Sequence, residues 1–480
     1  MAVKRSLGWM GASQLVSFAL QFAASIVVAR LLTPYELGVY AVAVATVGAL
    51  AAFQALGLGN LIIREKELTR DLVASIYTIN ALLAVGLASA IALAGFAGSW
   101  WFHDKHVRDV LLVMAPAPLC ALIDFLPASN FEREGNFRVV AIGNGIRSAT
   151  YALLTILLAT LGFKFIGLAL AQDLSVLFTA IYFGLIGRRF VSFRLGLSHW
   201  RPTLSYGLQL LTVSGLTSLF QRGSDIVLGR VLGIASLGVY NRASSLNAMI
   251  LDRVRIAIER ITFSHMAGRL RNNESLQRSY LYTVELMTSV LWPALAGLAV
   301  VSATLIRTLF GSRWQGAATP LSILATASIV QVSISLSWEL FILRGELKRQ
   351  SKIELVRTII GFTVFAVACR FGLVAAACAR VLDSLVANWL YRKEIERMTD
   401  TRLAQYLPIY SRSLLLVLFA AAPALVVQAI ADRAAIAPLA SLLISTAAGA
   451  ATWALGLVLL KHPLLDEVLP PLRRLYARVA

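Results

Sequence analysis

Arg222 and Asp225 lie three residues apart within a long apolar stretch, LTSLFQRGSDIVLGRVLG. In a helix that spacing puts both side chains on one face. Ionised groups surrounded by hydrocarbon cost several kcal/mol and mark substrate or ion pathways. A guanidinium in such a place suits a phosphate or carboxylate, and Asp225 would be its partner or a coupling site. The competing reading is a structural pair that neutralises itself. Arg222 stands about ten residues before the end of the stretch, or about 15 Å at helical rise, which is half of a bilayer core of about 30 Å.

Other polar groups extend this set. Arg242 faces the same cavity or snorkels to the membrane surface. Gln21 and Gln221 are candidate binding groups, and with Gln14, Gln54 and Gln209 they give neighbouring segments a polar surface. Glu285 and Glu339 are acids without an evident partner, each able to carry a proton or to pair with a cavity arginine. Arg380 and Asp383 repeat the three-residue spacing and are read as a structural pair.

No catalytic constellation accompanies these residues, and no cofactor is expected. The five histidines, His103, His106, His199, His265 and His462, fall in loops or near segment ends, without the third ligand a metal site needs. There is no phosphate-binding GxxxxGK[ST] loop. Cys120, Cys369 and Cys378 lie in apolar segments and read as free, inert thiols.

The elements that must hold these residues follow from composition. The chain has 480 residues, 58% hydrophobic and 14% charged, with mean hydropathy +0.75. A soluble domain cannot hide that much apolar surface. The apolar residues form blocks long enough to span a bilayer as helices, so the expected class is an all-α polytopic membrane protein. Net charge is +19; basic loops that hold a membrane protein in one orientation explain it better than nucleic acid does. The first apolar run is too long for a secretory leader and reads as an uncleaved first span.

Fourteen spans are expected, near 8–30, 37–62, 72–98, 108–130, 139–162, 165–187, 204–232, 237–262, 280–310, 316–343, 354–370, 372–391, 406–430 and 436–460. With the N-terminus in the cytoplasm, 32 of the 44 Lys and Arg fall on the cytoplasmic side and nine outside, with three in spans. That asymmetry supports the count, with both termini inside. The cytoplasmic groups include segments around 133–147 and 344–357, and the longest connection, about 263–279, has an amphipathic pattern suited to the membrane surface.

Two segments echo each other at an offset of 200 residues. QFAASIVVARLLTPYELGVY at 21–40 and QRGSDIVLGRVLGIASLGVY at 221–240 share nine positions, among them Arg30/Arg230, Gly38/Gly238 and Tyr40/Tyr240. A weaker echo joins Leu111–Ala115 and Leu321–Ala325. Six spans separate the copies, so both cross in the same direction and the halves are parallel repeats. The expected lobes are 1–190 and 203–400, followed by 401–480 with two further spans and a cytoplasmic tail. The repeated glycines allow close helix approach, the tyrosines suit an interfacial position, and the repeated arginines share a structural role.

The strings ARLLTPYELGVYAVA, QALGLGNLIIRE, DIVLGRVLGIASLGVYNRASSL and LFGSRWQGAATPLSILA resemble the polysaccharide-transporter family, lipid-linked oligosaccharide flippases of the multidrug/oligosaccharidyl-lipid/polysaccharide exporter superfamily. The resemblance implies two six-helix lobes plus two helices around a central cavity, working by alternating access. It implies an undecaprenyl-diphosphate-linked oligosaccharide as substrate, moved across the bacterial inner membrane for O-antigen, capsule or exopolysaccharide assembly. A polysaccharide polymerase and a chain-length regulator would be partners of a monomeric transporter. The stretch SQLVSFALQFAASIVVAR departs from related lipid II flippases in having no arginine before Arg30. Two other classes remain: a cation-coupled multidrug exporter, which needs acids in its cavity, and a membrane polymerase or ligase, which needs larger outer loops.

Overall fold

The computed structural model describes residues 2–465 except 53–56, 66, 193, 273, 274 and 435. Gln54, residues 466–480 and the side chains of Gln14, Gln209 and His265 lie outside the described residues, while the 263–279 connection is helical up to Arg271 and again from Gln277. Every regular element described is helical. In order these are α1 (Ala2–Leu31), α2 (Pro34–Ala52), α3 (Leu58–Arg64), α4 (Arg70–Phe102), α5 (Lys105–Met114), α6 (Ala117–Arg133), α7 (Phe137–Thr160), α8 (Lys164–Ile186), α9 (Trp200–Val231), α10 (Ile234–Arg271), α11 (Gln277–Phe310), α12 (Ala318–Val332), α13 (Ser337–Arg344), α14 (Leu347–Ala368), α15 (Leu373–Thr399), α16 (Leu403–Arg433) and α17 (Pro438–Leu459).

Three expected spans are broken. The second divides into α2 and α3. The fourth divides into α5 and α6, where Pro116 supplies no N–H and starts the new helix. The tenth divides into α12 and α13, where Leu336 adopts φ 64°, a left-handed conformation costly for a residue with a Cβ. Among the described residues, seventeen α-helices therefore stand where fourteen spans were expected. Among the described residues, ten helical segments are long and apolar enough to cross a membrane by length and composition. The helices α1, α9, α10 and α14 fall outside that set; α14 carries Lys348, Arg349, Lys352, Glu354 and Arg357.

Helix surfaces confirm a membrane class. Leu82, Leu93, Phe96, Leu153, Leu418, Leu443 and Leu459 are all more than half exposed, a surface fit for lipid and costly in water. Polar side chains turned inward are bonded locally: Thr78 donates to the Ala74 carbonyl and Thr179 to that of Ser175. Each such bond satisfies a hydroxyl that would otherwise stand alone in an apolar core.

The chain forms two compact units, Met1–Gly238 and Val239–Ala480. In the first, α7 packs against α8 and α1, α6 against α8, and α2 against α9. In the second, α11 is the central helix, packed by α12, α16 and α17, while α15 packs against α12 and α14.

Candidate functional site

The 200-residue echo has a structural cause in the first unit. A Cβ placed on Gly38 of α2 would lie 1.9 Å from the Ile234 carbonyl oxygen, and one on Gly238 would lie 2.0 Å from that of Pro34. The two repeated glycines thus press the first turns of α2 and α10 together, backbone to backbone, and a side chain at either position collides. The repeated tyrosines make polar contacts within the protein. The Tyr40 hydroxyl lies 3.3 Å from that of Tyr151, and buried Tyr240 accepts from Arg380 Nε at 3.3 Å. Burial with a polar partner satisfies both hydroxyls. Of the repeated arginines, Arg230 stacks over Trp101 at 5.6 Å.

Arg222 lies along α2 in the first unit. Its Nε would be 2.9 Å from a Cβ on Gly48, so the absence of a side chain there makes room for the guanidinium. Arg222 is exposed, and among the described residues it has neither an ion pair nor a hydrogen-bond partner. No salt bridge joins it to half-buried Asp225 among the described residues, so the competing reading of a self-neutralised pair is not what forms. Gln221 is exposed beside it, and Gln21 donates to Ser148 Oγ at 3.3 Å.

The second unit holds the other candidates. Arg242 stacks on Phe310 and Trp314, 4.9 and 5.4 Å from their ring centres, which supports a cation in partly buried surroundings. Glu285 was expected to lack a partner; it is paired. Arg412 Nη1 lies 3.4 Å from its carboxylate and His462 Nε2 3.7 Å, a junction formed because α16 and the turn after α17 both reach α11. The expected Arg380–Asp383 pair is replaced as well. Asp383 takes Arg357 Nη1 of α14 at 3.1 Å, while Arg380 turns to Tyr240 and the Phe365 ring.

Glu339 borders a cavity of about 210 Å³ at the α12–α13 break, together with Asp252, Arg255, Gln331, Ser335 and Trp338. Asp252 and Arg255 form an ion pair at 3.6 Å. The sequence reading passed over this pair, although the three-residue spacing that selected Arg222 and Asp225 also marks it. Arg147 and Arg357, assigned to basic loops, lie well inside α7 and α14. Among the described residues, no three His, Cys, Asp or Glu are grouped to hold a metal ion.

These observations define an all-helical, multi-pass membrane protein with charged side chains set inside its helices. The structure resembles that of the lipid II flippase MurJ in an inward closed conformation, with TM-score 0.75 at 12% identity over 95% of this chain and 99% of that one. The family model described as "Polysaccharide biosynthesis protein" matches residues 27–319, and the chain belongs to that family. It is 26% identical over 339 residues to the succinoglycan biosynthesis transport protein ExoT of Rhizobium meliloti (strain 1021), covering 67% of this chain. That match spans 65% of the length of ExoT. The lipopolysaccharide biosynthesis protein WzxC of Escherichia coli (strain K12) is 22% identical over 333 residues, or 67% of this chain and 66% of its own.

Proposed function

We propose that this protein flips an undecaprenyl-diphosphate-linked oligosaccharide across the bacterial inner membrane by alternating access, for assembly of a cell-surface polysaccharide. The observation that carries this reading is Arg222, a guanidinium seated against α2 beside Gly48 and without an ion-pair partner among the described residues, in a chain of the polysaccharide biosynthesis family. A diphosphate supplies the charge that Arg222 lacks, and the lipid tail stays in the bilayer. The long helices α1, α9, α10 and α14 are read as spans in addition to the ten apolar segments, which gives fourteen with both termini cytoplasmic. The repeats at 1–190 and 203–400 are read as two parallel lobes. A polymerase and a chain-length regulator would take up the flipped product from a monomeric transporter.

A cation-coupled drug exporter would require an acidic recognition group; the exposed charge beside Gly48 is a cation. The test replaces Arg222 with Ala and with Lys in cells that depend on this chain for surface polysaccharide. The expected result is loss of surface polymer and accumulation of lipid-linked oligosaccharide on the cytoplasmic leaflet for Arg222→Ala, with partial retention for Lys. Undiminished export by a well-expressed Arg222→Ala protein would remove the role given to Arg222.

A further inference from the structure

Carboxyls set inside the helices of the two units differ in how fully they are satisfied. In the second unit Arg357 bonds both Glu354 and Asp383, and the Tyr391 hydroxyl donates to Glu354 at 2.6 Å. Both acids there are ion-paired and hydrogen-bonded. In the first unit Arg147 of α7 lies 4.0 Å from Asp124 of α6, whereas Asp173 of α8 has no ion pair among the described residues. Asp173 Oδ1 is buried and accepts no hydrogen bond.

Asp173 is the tenth residue of the 23-residue α8, about 14 Å from its start and so near mid-membrane. The α-helices packed on α8 are α2, α5, α6 and α7, and the helical turn Arg188–Phe190, about fifteen residues beyond Asp173, touches its far end. From α2 the titratable group facing Asp173 is Tyr40, whose hydroxyl meets Tyr151 of α7. From α6 it is Cys120. The Asp124–Arg147 pair lies one turn beyond Cys120 and Tyr151 on those same helices. From α5, His106 packs on Phe165, two turns away along α8. None of these facing groups is a cation free to neutralise Asp173. Asp173 is half-buried, and ionising a carboxyl whose buried Oδ1 has no donor is costly, whereas the neutral acid is tolerated.

We propose that Asp173 is the proton-carrying residue of the first unit. It is held as the neutral acid in the arrangement seen here, and when α8 and its neighbours rearrange it releases that proton to water and keeps the bonding pair as a carboxylate. The coupling to substrate movement rests on the transport reading above; the protonation itself does not.

The experiment therefore has two arms. In detergent micelles, thermal unfolding is followed from pH 5.5 to 9 for the wild type, Asp173→Asn and Asp383→Asn. A folded state that holds an extra proton loses stability as pH rises. Relative to Asp173→Asn, the wild type should lose Tm as pH rises across this range, while the wild type and Asp383→Asn should keep the same slope. Should Asp173→Asn fail to fold, wild-type protein treated with dicyclohexylcarbodiimide, which modifies protonated carboxyls in apolar surroundings, should carry the adduct on Asp173 at pH 6 and much less at pH 9. Equal slopes for the wild type and Asp173→Asn, or no pH-dependent adduct, overturn the proposal. In proteoliposomes containing extracted lipid-linked oligosaccharide, flipping by the wild type should respond to an imposed pH gradient, and flipping by Asp173→Asn should not. A gradient response retained by Asp173→Asn overturns the coupling. Absence of flipping by the wild type, with the unfolding result intact, would count against the transport reading alone.

Discussion

Replacing Gly38 with alanine adds one methyl group at a point where two backbones touch. That Cβ would sit 1.9 Å from the Ile234 carbonyl oxygen and 2.7 Å from its carbon, whereas real Cβ atoms do not approach closer than 3.0 Å. The obstructing atoms are backbone and cannot rotate away, so the first turns of α2 and α10 must separate by about 1.1 Å or more. Overpacking of this kind costs about 1–3 kcal/mol, which shifts any equilibrium that requires the contact by about 5- to 150-fold. Gly238→Ala meets the Pro34 carbonyl at 2.0 Å and should cost a similar amount. The two effects should not add, because the second methyl enters a gap the first has already opened. Gly86→Ala in α4 is the control: nothing lies within 4 Å of its added methyl, and it should be neutral or stabilising by up to about 1 kcal/mol. Thermal unfolding of the wild type and these four variants in detergent, alongside surface-polysaccharide export, measures the cycle and its control. Wild-type stability and export for Gly38→Ala, or full additivity in the double variant, would refute the reciprocal contact.

Two further outcomes are expected. Removing Arg357 strands Asp383 and part of Glu354, both less than one-fifth exposed; Arg357→Ala should lose about 3–5 kcal/mol, and unfolding of Arg357→Ala/Asp383→Asn should recover part of that loss. His462 lies beyond α17, and burial lowers its imidazole below the ordinary 6.5, against partial support from Glu285. The folded state therefore favours the neutral ring, so its contribution is complete above pH 6.5 and is lost as pH falls below it. The Tm of the wild type should drop on acidification in that window, and His462→Gln should drop less.

The sequence alone determined the class of this protein and the position of its duplicated motif. Blocks of apolar residues can be satisfied only as helices in lipid, and a shared Arg, Gly and Tyr at a fixed offset are visible without coordinates. Arg222 was likewise legible, because a charge in an apolar run is conspicuous wherever its neighbours lie. Partnership was not legible. Sequence spacing paired Arg222 with Asp225 and Arg380 with Asp383, yet Arg222 lies against Gly48, and Asp383 reaches Arg357, 26 residues away on α14. Glu285 was read as partnerless because Arg412 is 127 residues distant. Asp124 and Asp173 were as visible in the sequence as Glu285, but which carboxyl lacks a donor depends on the helices packed around it. Hydropathy is a property of each segment and survives in one dimension. Charge compensation is a property of neighbours, and helix packing chooses those.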